Sequence, residues 1–412
     1  MSEYYDSLET RSSEERNQAQ LEAIREQIRH AQDNTVAYSE SLNDIDADEI
    51  TDAASFSAIP LTRKSELIEL QRTQGPFGGY TANNTSFNSH VFASPGPIYE
   101  PGFAVADFWR FARSLYASGF RSGDLVHNCF SYHFTPAGQM FDSAALALGC
   151  SVIPAGVGQT ELQVQTIADL SPDGYVGTPS FLKIILEQAD DLGSDVSSIN
   201  KAMMSGEALP PPLRDGFVER GIRVQQCYGT ADLGLIAYES SAQEGLIIDE
   251  GVYLEIVRPG TGELVNEGEV GEVVVTNLVS REYPLVRFAT GDLSAYLPGT
   301  SPCGRTNQRI RGWMGRADQT AKVRGMFIHP EQIDKVVKRH PEISRARLVV
   351  DWVEQADQII LQCESENTDA SLSDAIAESI RSICKLRAEV EFVAAGTLPN
   401  DGKVIDDIRQ YD

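Results

Sequence analysis

Positive charge is what this chain is short of. Lysine plus arginine number 34 against 60 acidic residues, a formal net charge of −26. A surface that negative repels nucleic acid and anionic lipid, which argues against a polyanion partner or a membrane surface. Lysine is the scarcer cation, found only at positions 64, 183, 201, 322, 335, 338, 385 and 403. Few side chains can therefore carry lysine chemistry. No apolar run reaches the roughly 18–20 residues a membrane span needs. The opening stretch MSEYYDSLETRSSEERNQ is polar and acidic, unlike a secretory signal or a transit peptide. A cytoplasmic enzyme is the expectation. The six cysteines are scattered and never form CxxC, so they read as reduced, mostly buried thiols. Cys303, in the turn-like SPCGR, lacks the second cysteine that would suggest zinc.

At 412 residues the chain is too long for one compact core and predicts two or three domains. Residues from Ser13 to Ala37 are helix-like, with Leu21, Ile24 and Ile28 spaced for one face. A short helix follows, then an extended Ile-Pro-Leu link and a second helix expected to be capped by Thr62. From Val105 apolar strands alternate with helices that end on glycine: DLVHNCFSY, CSVIPAG and GYVGTP read as strands, ELQVQTIADL and PSFLKIILEQAD as helices. That alternation predicts a mostly parallel α/β sheet. After Gly245 the strands IIDEGVYLEIV, GEVVVTNLV and PLVRFATGDL predict an antiparallel or barrel-like subdomain. The last 90 or so residues read strand and helix in turn, as a small α+β module whose junction falls near Gly315–Asp318.

Five short stretches occur in one order: SGEALPPPL, YGTAD, RFATGDL, GRADQTAKVRG and LPNDGK. Together with GDLVHN, VIPAG, GQTELQVQ and GYVGTPSFL, the set resembles the phenylacetate–CoA ligase branch of the adenylate-forming acyl-CoA synthetases. The resemblance runs from about Ile59 to the end. It implies an α/β fold: a large N-terminal domain of mixed and parallel sheets flanked by helices with a β-rich subdomain (1–317), and a small mobile C-terminal α+β domain (318–412). It also implies an acid–thiol ligase that uses ATP, Mg²⁺ and CoA. A carboxylic acid would be activated as acyl-AMP and then captured by the CoA thiol. A homodimer is carried from the same resemblance.

The resemblance assigns roles that the residue chemistry supports. Tyr228, in Tyr228-Gly229-Thr230 after a predicted strand, could stack on adenine, and the Thr230 hydroxyl could bond a phosphate oxygen. Asp232 stands where the family has a metal-holding glutamate, one methylene shorter, but still a hard oxygen ligand. Ser205, Gly206 and Glu207 lie in the loop expected to run against the adenine, glycine there allowing close approach. Asp292 is the residue type to accept from both ribose hydroxyls, and Arg316 suits bidentate anion contacts on the ribose or α-phosphate. The two are expected to converge on the nucleotide sugar. Asp318 matches the hinge of the C-terminal domain, and Lys322 and Arg324 the contacts to CoA phosphates. Lys403, in LPNDGK, matches the lysine whose compact ammonium stabilises charge on the pentavalent phosphate. Tyr132, His133 and Phe134 follow a strand ending at the expected acid pocket, where aromatic surface would suit an aryl or arylacetic acid.

One segment departs from the family. Where a Ser/Thr/Gly-rich phosphate loop is expected, His90–Gly102 reads HVFASPGPIYEPG. Prolines 95 and 97 remove backbone donors, Ser94 is the one hydroxyl before Tyr99, and Glu100 adds charge of the wrong sign. Three readings stay open here: an ATP-dependent ligase in which Mg²⁺ covers the loss, an acyl transferase that passes a preformed acyl adenylate or thioester to CoA or a carrier protein, and a catalytically quiet homologue that binds nucleotide or acyl group.

Overall fold

The computed structural model describes residues 3–82, 90–94, 97–259, 262–317, 321–323, 326–328, 330–353, 356–399, 401 and 403–409. The chain gathers into two compact units. The first comprises Met1–Glu255, Val273–Thr290 and Ala295–Trp313, the second Ile256–Glu272, Gly291–Ser294 and Met314–Asp412.

The first unit is built on a nine-stranded sheet. Ser151–Ile153, Leu125–Asn128, Gly174–Gly177, Lys201–Met204 and Arg223–Thr230 are neighbours in that order and run parallel. Beyond them Gly234–Tyr238, Leu246–Ile248, Arg309–Ile310 and Tyr296–Leu297 continue antiparallel. The parallel half is the predicted strand–helix alternation. Its strands Gly174–Gly177 and Lys201–Met204 are buried at every position, as expected of central parallel strands covered on both faces. The helix Pro179–Leu192 shows the local logic: Thr178 caps its first turn, proline opens it, and Gly193 ends it at φ 63°.

Two sequence expectations shift. The N-terminal helix runs Ser13–Asn34 from a Ser12–Glu15 capping box, but it stops short of Ala37 because Thr35 caps a second helix, Val36–Ser41. Thr62 is no helix cap. It lies in the strand Thr62–Arg63, parallel to Phe288–Ala289, and its hydroxyl bonds Tyr38 Oη and the Val286 carbonyl. The helix Leu67–Gln74 begins later, without a side-chain cap. That strand closes a four-stranded sheet ordered Thr62–Arg63, Phe288–Ser294, Gly271–Asn277, Val252–Val257. Gly271–Asn277 is buried at all its positions, so no in–out alternation survives there.

The second unit carries the expected α+β module. Its sheet is ordered Glu389–Val393, Ala356–Glu364, Arg345–Val353, Ile405–Asp407, with the long central pair antiparallel and both outer strands parallel to their neighbours. The helix Ala370–Cys384 buries Leu372, Ile376, Ile380 and Cys384, one residue per turn along one face. These meet Leu348, Val350 and Leu361 of the sheet in one core.

Candidate active site

In the first unit the motifs cluster where the parallel half of the sheet gives way to the antiparallel half. Arg223–Thr230 ends in YGT, and the ladder to Gly234–Tyr238 slips by one between Tyr228 and Gly229. Such a bulge re-aims the residues beyond it. Only glycine fits at 229, because a Cβ would stand 2.5 Å from the Gly234 carbonyl oxygen and 2.8 Å from the Phe111 ring. Tyr228 is buried, its hydroxyl 3.4 Å from Thr290 Oγ1. Thr230 Oγ1 accepts from Leu233 N at 3.2 Å. Its hydroxyl hydrogen is not used in that bond.

The neighbouring loop is set by the same strand. Ser205 Oγ donates to the Cys227 carbonyl at 3.1 Å, tying SGE to the YGT strand. Gly206 holds φ 80°, a conformation a side chain would strain. Glu207 is exposed and accepts from Ser180 N at 3.3 Å.

Asp232 is buried, and Lys64 Nζ donates to its Oδ2 at 2.5 Å. Its Oδ1 is buried with no hydrogen-bond partner. An ionised carboxylate with one bare oxygen in a buried place is a donor set a hard divalent cation fits. Glu100 is drawn into the same cluster. The suspect phosphate loop forms a hairpin, His90–Ser94 against Ile98–Gly102, anchored by Gln71, which bonds both the N–H and the carbonyl of Tyr99. Prolines aside, this pairing consumes backbone donors that an open loop would offer to phosphate. Positions 95 and 96 lie outside the described residues. The expectation that Glu100 presents its charge to phosphate is corrected: the side chain is 1% exposed, turned in, and Ser94 N donates to its Oε2. Burial first, then the Asp232 charge, push Glu100 up to about 7 against the pull of Ser94 and Lys64.

In the second unit TGD and GRA zip together. Leu293 N donates to the Gly315 carbonyl, Met314 N to that of Leu293 and Ala317 N to that of Gly291. Asp292 and Arg316 form a bridge pair, and Arg316 Nη1 donates to Asp292 Oδ1 at 3.0 Å. Gly291 has to be glycine: φ is 76°, and a Cβ would lie 2.7 Å from Arg316 Nη2. The guanidinium rests on that bare position, with Asp292 largely buried and Arg316 half-exposed. The carboxylate and guanidinium of the two motifs therefore meet. Lys403 Nζ, partly exposed, donates to Asp406 Oδ1 at 2.7 Å. Lys322 sits in the strand Ala321–Val323, in register with Phe327. Asp318 and Arg324 lie outside the described residues.

The aromatic trio of the expected acid pocket is exposed, Phe134 at 69%. Tyr132 Oη accepts from Asn128 and donates to Asp142. The segment does adjoin the hairpin, since Ala93 N donates to the Phe134 carbonyl. The buried ring there is Phe130, stacked on Phe141 at 4.6 Å. Sequence reasoning missed Lys64 as a member of the Asp232 cluster. Lys64 was visible as one of few lysines, but nothing local ties it to Asp232.

Comparison with known proteins bears on these groupings. The AMP-binding enzyme family matches residues 104–283, and the AMP-binding enzyme C-terminal domain matches residues 325–408. The phenylacetate-coenzyme A ligase of Pseudomonas putida is 30% identical over 97% of this chain and 95% of its own length. That of Aromatoleum evansii is 30% identical over 82% of this chain and 78% of its own. A solved 2-hydroxyisobutyryl-CoA ligase, in complex with 2-HIB-AMP and CoA, superposes with a TM-score of 0.73 at 23% identity, covering 99% of this chain and 93% of that one. Among the described residues no helix is long and apolar enough to cross a membrane.

Proposed function

Because this chain belongs to the adenylate-forming AMP-binding enzymes, in their phenylacetate–CoA ligase branch, we propose that it joins a carboxylic acid to CoA at the expense of ATP. The acid attacks the α-phosphate to give acyl-AMP and pyrophosphate. The CoA thiol then displaces AMP, and the thioester forms. An aryl or arylacetic acid is the substrate class this reading favours.

The observation that carries it is the Asp292–Arg316 pair. An ionised carboxylate held at 3.0 Å by a guanidinium is fixed in direction and offers acceptor lone pairs to both hydroxyls of a ribose. Arg316 places positive charge beside the α-phosphate. Tyr228 offers a ring on which the adenine can stack, Ser205, Gly206 and Glu207 the backbone beside it, and Thr230 an O–H donor for a phosphate oxygen. Asp232, with its unpartnered Oδ1, is the residue that would hold Mg²⁺, and the cation would supply the neutralisation of phosphate charge that the hairpin lacks. Lys403 donates to the oxygens that gain charge as the acid attacks. Residues 318–412 form the mobile domain, turning at Asp318, with Lys322 and Arg324 toward CoA. CoA is the acceptor this reading names, a carrier protein the alternative.

Asp292→Ala tests the carrying observation. AMP affinity should fall by a factor of about 10 to 100, the loss of one charge-assisted pair of hydrogen bonds, with little change in melting. Calorimetric titration with AMP reads it, and unchanged affinity would remove Asp292 from the ribose. The pairing of His90–Ser94 with Ile98–Gly102 favours one rival, acyl transfer from a preformed adenylate or thioester. The protein is incubated with ATP, Mg²⁺, hydroxylamine and a panel of acids. Hydroxamate with pyrophosphate supports the ligase, and turnover only when acyl-AMP or a thioester is supplied supports transfer.

A further inference from the structure

The buried cluster around Asp232 holds more unsatisfied oxygen than one motif residue explains. Glu100 is 1% exposed and its Oε1 has no partner, Asp232 is 5% exposed and its Oδ1 has none, and the hydroxyl of Tyr283, 2% exposed, has none either. Buried polar atoms are nearly always paired, so three orphans in one neighbourhood call for a reason. That they share a neighbourhood follows from their fields. Asp232 and Lys64 both act on Glu100, and Asp232 and Glu100 both act on Tyr283. Among the described residues the ammonium paired with this cluster is Lys64 Nζ, whose contact is with Asp232 Oδ2 at 2.5 Å.

We propose that Glu100 and Asp232 together form a preformed divalent-cation site, filled through Oε1 and Oδ1, with Lys64 as the ammonium that competes with the cation. The proposal rests on the reading of Asp232 as the magnesium residue and adds a second carboxylate that no sequence motif contains. The chemistry is that of a small hard cation, which takes a few carboxylate oxygens and completes its shell with water or phosphate oxygen. Two carboxylates give the cation a hold on the protein before any nucleotide arrives. The hairpin that lost the donors of a phosphate loop delivers Glu100, so one departure from the family pattern supplies the means to offset another.

The test is Mn²⁺ binding to the nucleotide-free full chain at pH 8, followed by the electron paramagnetic resonance of free Mn²⁺. Wild type should bind one ion. Glu100→Gln and Asp232→Asn should each weaken it about tenfold or more. Glu100→Asp, which keeps the charge, should stay nearer wild type than Glu100→Gln. Lys64→Met should tighten binding several-fold. Glu100→Gln should melt no lower than wild type, because it neutralises a buried charge that lacks a full set of partners, and this separates lost binding from lost fold. Wild-type affinity in Glu100→Gln overturns the proposal. If Asp232→Asn alone weakens Mn²⁺, Asp232 keeps its role and Glu100 has none. No Mn²⁺ binding by wild type without nucleotide also overturns the preformed site. The Asp232 reading is then judged separately, by pyrophosphate release from ATP in Asp232→Asn.

Discussion

Replacing Lys403 with alanine should lower the rate of acyl-AMP formation by a factor of about 10² to 10³ while leaving AMP affinity within a few-fold of wild type. Differential binding is the cause. An ammonium that meets the phosphate oxygens as they gain charge contributes to the transition state and little to the bound nucleotide. The fold should not suffer. Lys403 is 38% exposed, and its partner Asp406 lies 3.6 Å from Arg347 Nη1 as well, so removing the lysine leaves no lone buried charge. A partly exposed pair of this kind is worth at most about 1 kcal/mol. Lys403→Arg keeps the charge but spreads it over a planar fork, and should recover only part of the rate. Pyrophosphate release in a single turnover measures the first half-reaction. Conversion of supplied acyl-AMP to the thioester measures the second and should continue in Lys403→Ala. A wild-type rate of pyrophosphate release in that variant would end the assignment.

What the sequence made legible is what chain order encodes. TGD and GRAD are 24 residues apart, and each carries its own reason for being there: a glycine the guanidinium lies over, a carboxylate that guanidinium holds. YGT could be placed at a strand end because IRVQQC before it reads as a strand, and that strand does pair in parallel with Lys201–Met204. The α+β module was legible because its helix Ala370–Cys384 keeps strict one-face spacing. What was not legible depends on pairings between distant segments. Lys64 and Asp232 are 168 residues apart and meet only through tertiary packing. Glu100 was read as an exposed charge because a loop rich in proline and glycine says nothing about which way a side chain turns. Its hairpin register sets it opposite Phe92, and both side chains are buried. Thr62 looked like a helix cap because Ser and Thr serve both purposes. The strand pairing with Phe288 and the Tyr38 hydroxyl outweighed that local preference. The exposed Tyr132–Phe134 shows the same limit: aromatic residues after a strand mark apolar surface without saying where it faces.

Arg287, the first residue of RFATGDL, received no role from the sequence, and its replacement should be the most damaging to the fold. The side chain is 1% exposed, at φ 43°, and grips Glu255 with two parallel bonds, Nε to Oε2 at 2.9 Å and Nη2 to Oε1 at 3.0 Å. Its Nη1 also donates to the Ser57 and Ile59 carbonyls, so it pins the segment leading to Thr62 and Lys64. Arg287→Met removes the counter-charge but leaves the Glu255 carboxylate buried, a loss of about 3–5 kcal/mol. The pH dependence distinguishes this cause from lost packing. Burial already holds the Glu255 carboxyl above its ordinary range, against the pull of Arg287. Without the arginine it rises further, so the folded variant binds a proton more tightly than the unfolded chain does. A group raised in this way stabilises the folded state when protonated and loses that contribution as pH rises. The deficit of Arg287→Met relative to wild type should thus be greatest at pH 8 and shrink as pH falls toward the ordinary carboxyl value of about 4.3. Replacing both partners, Arg287→Met with Glu255→Met, removes the stranded charge and should restore much of the loss, a coupling that a double-mutant cycle reads directly. Urea unfolding at pH 8 and pH 5 measures both effects. A deficit that is equal at the two pH values, or a double variant no more stable than Arg287→Met, would assign Arg287 to packing and backbone anchoring and leave the ion pair without weight.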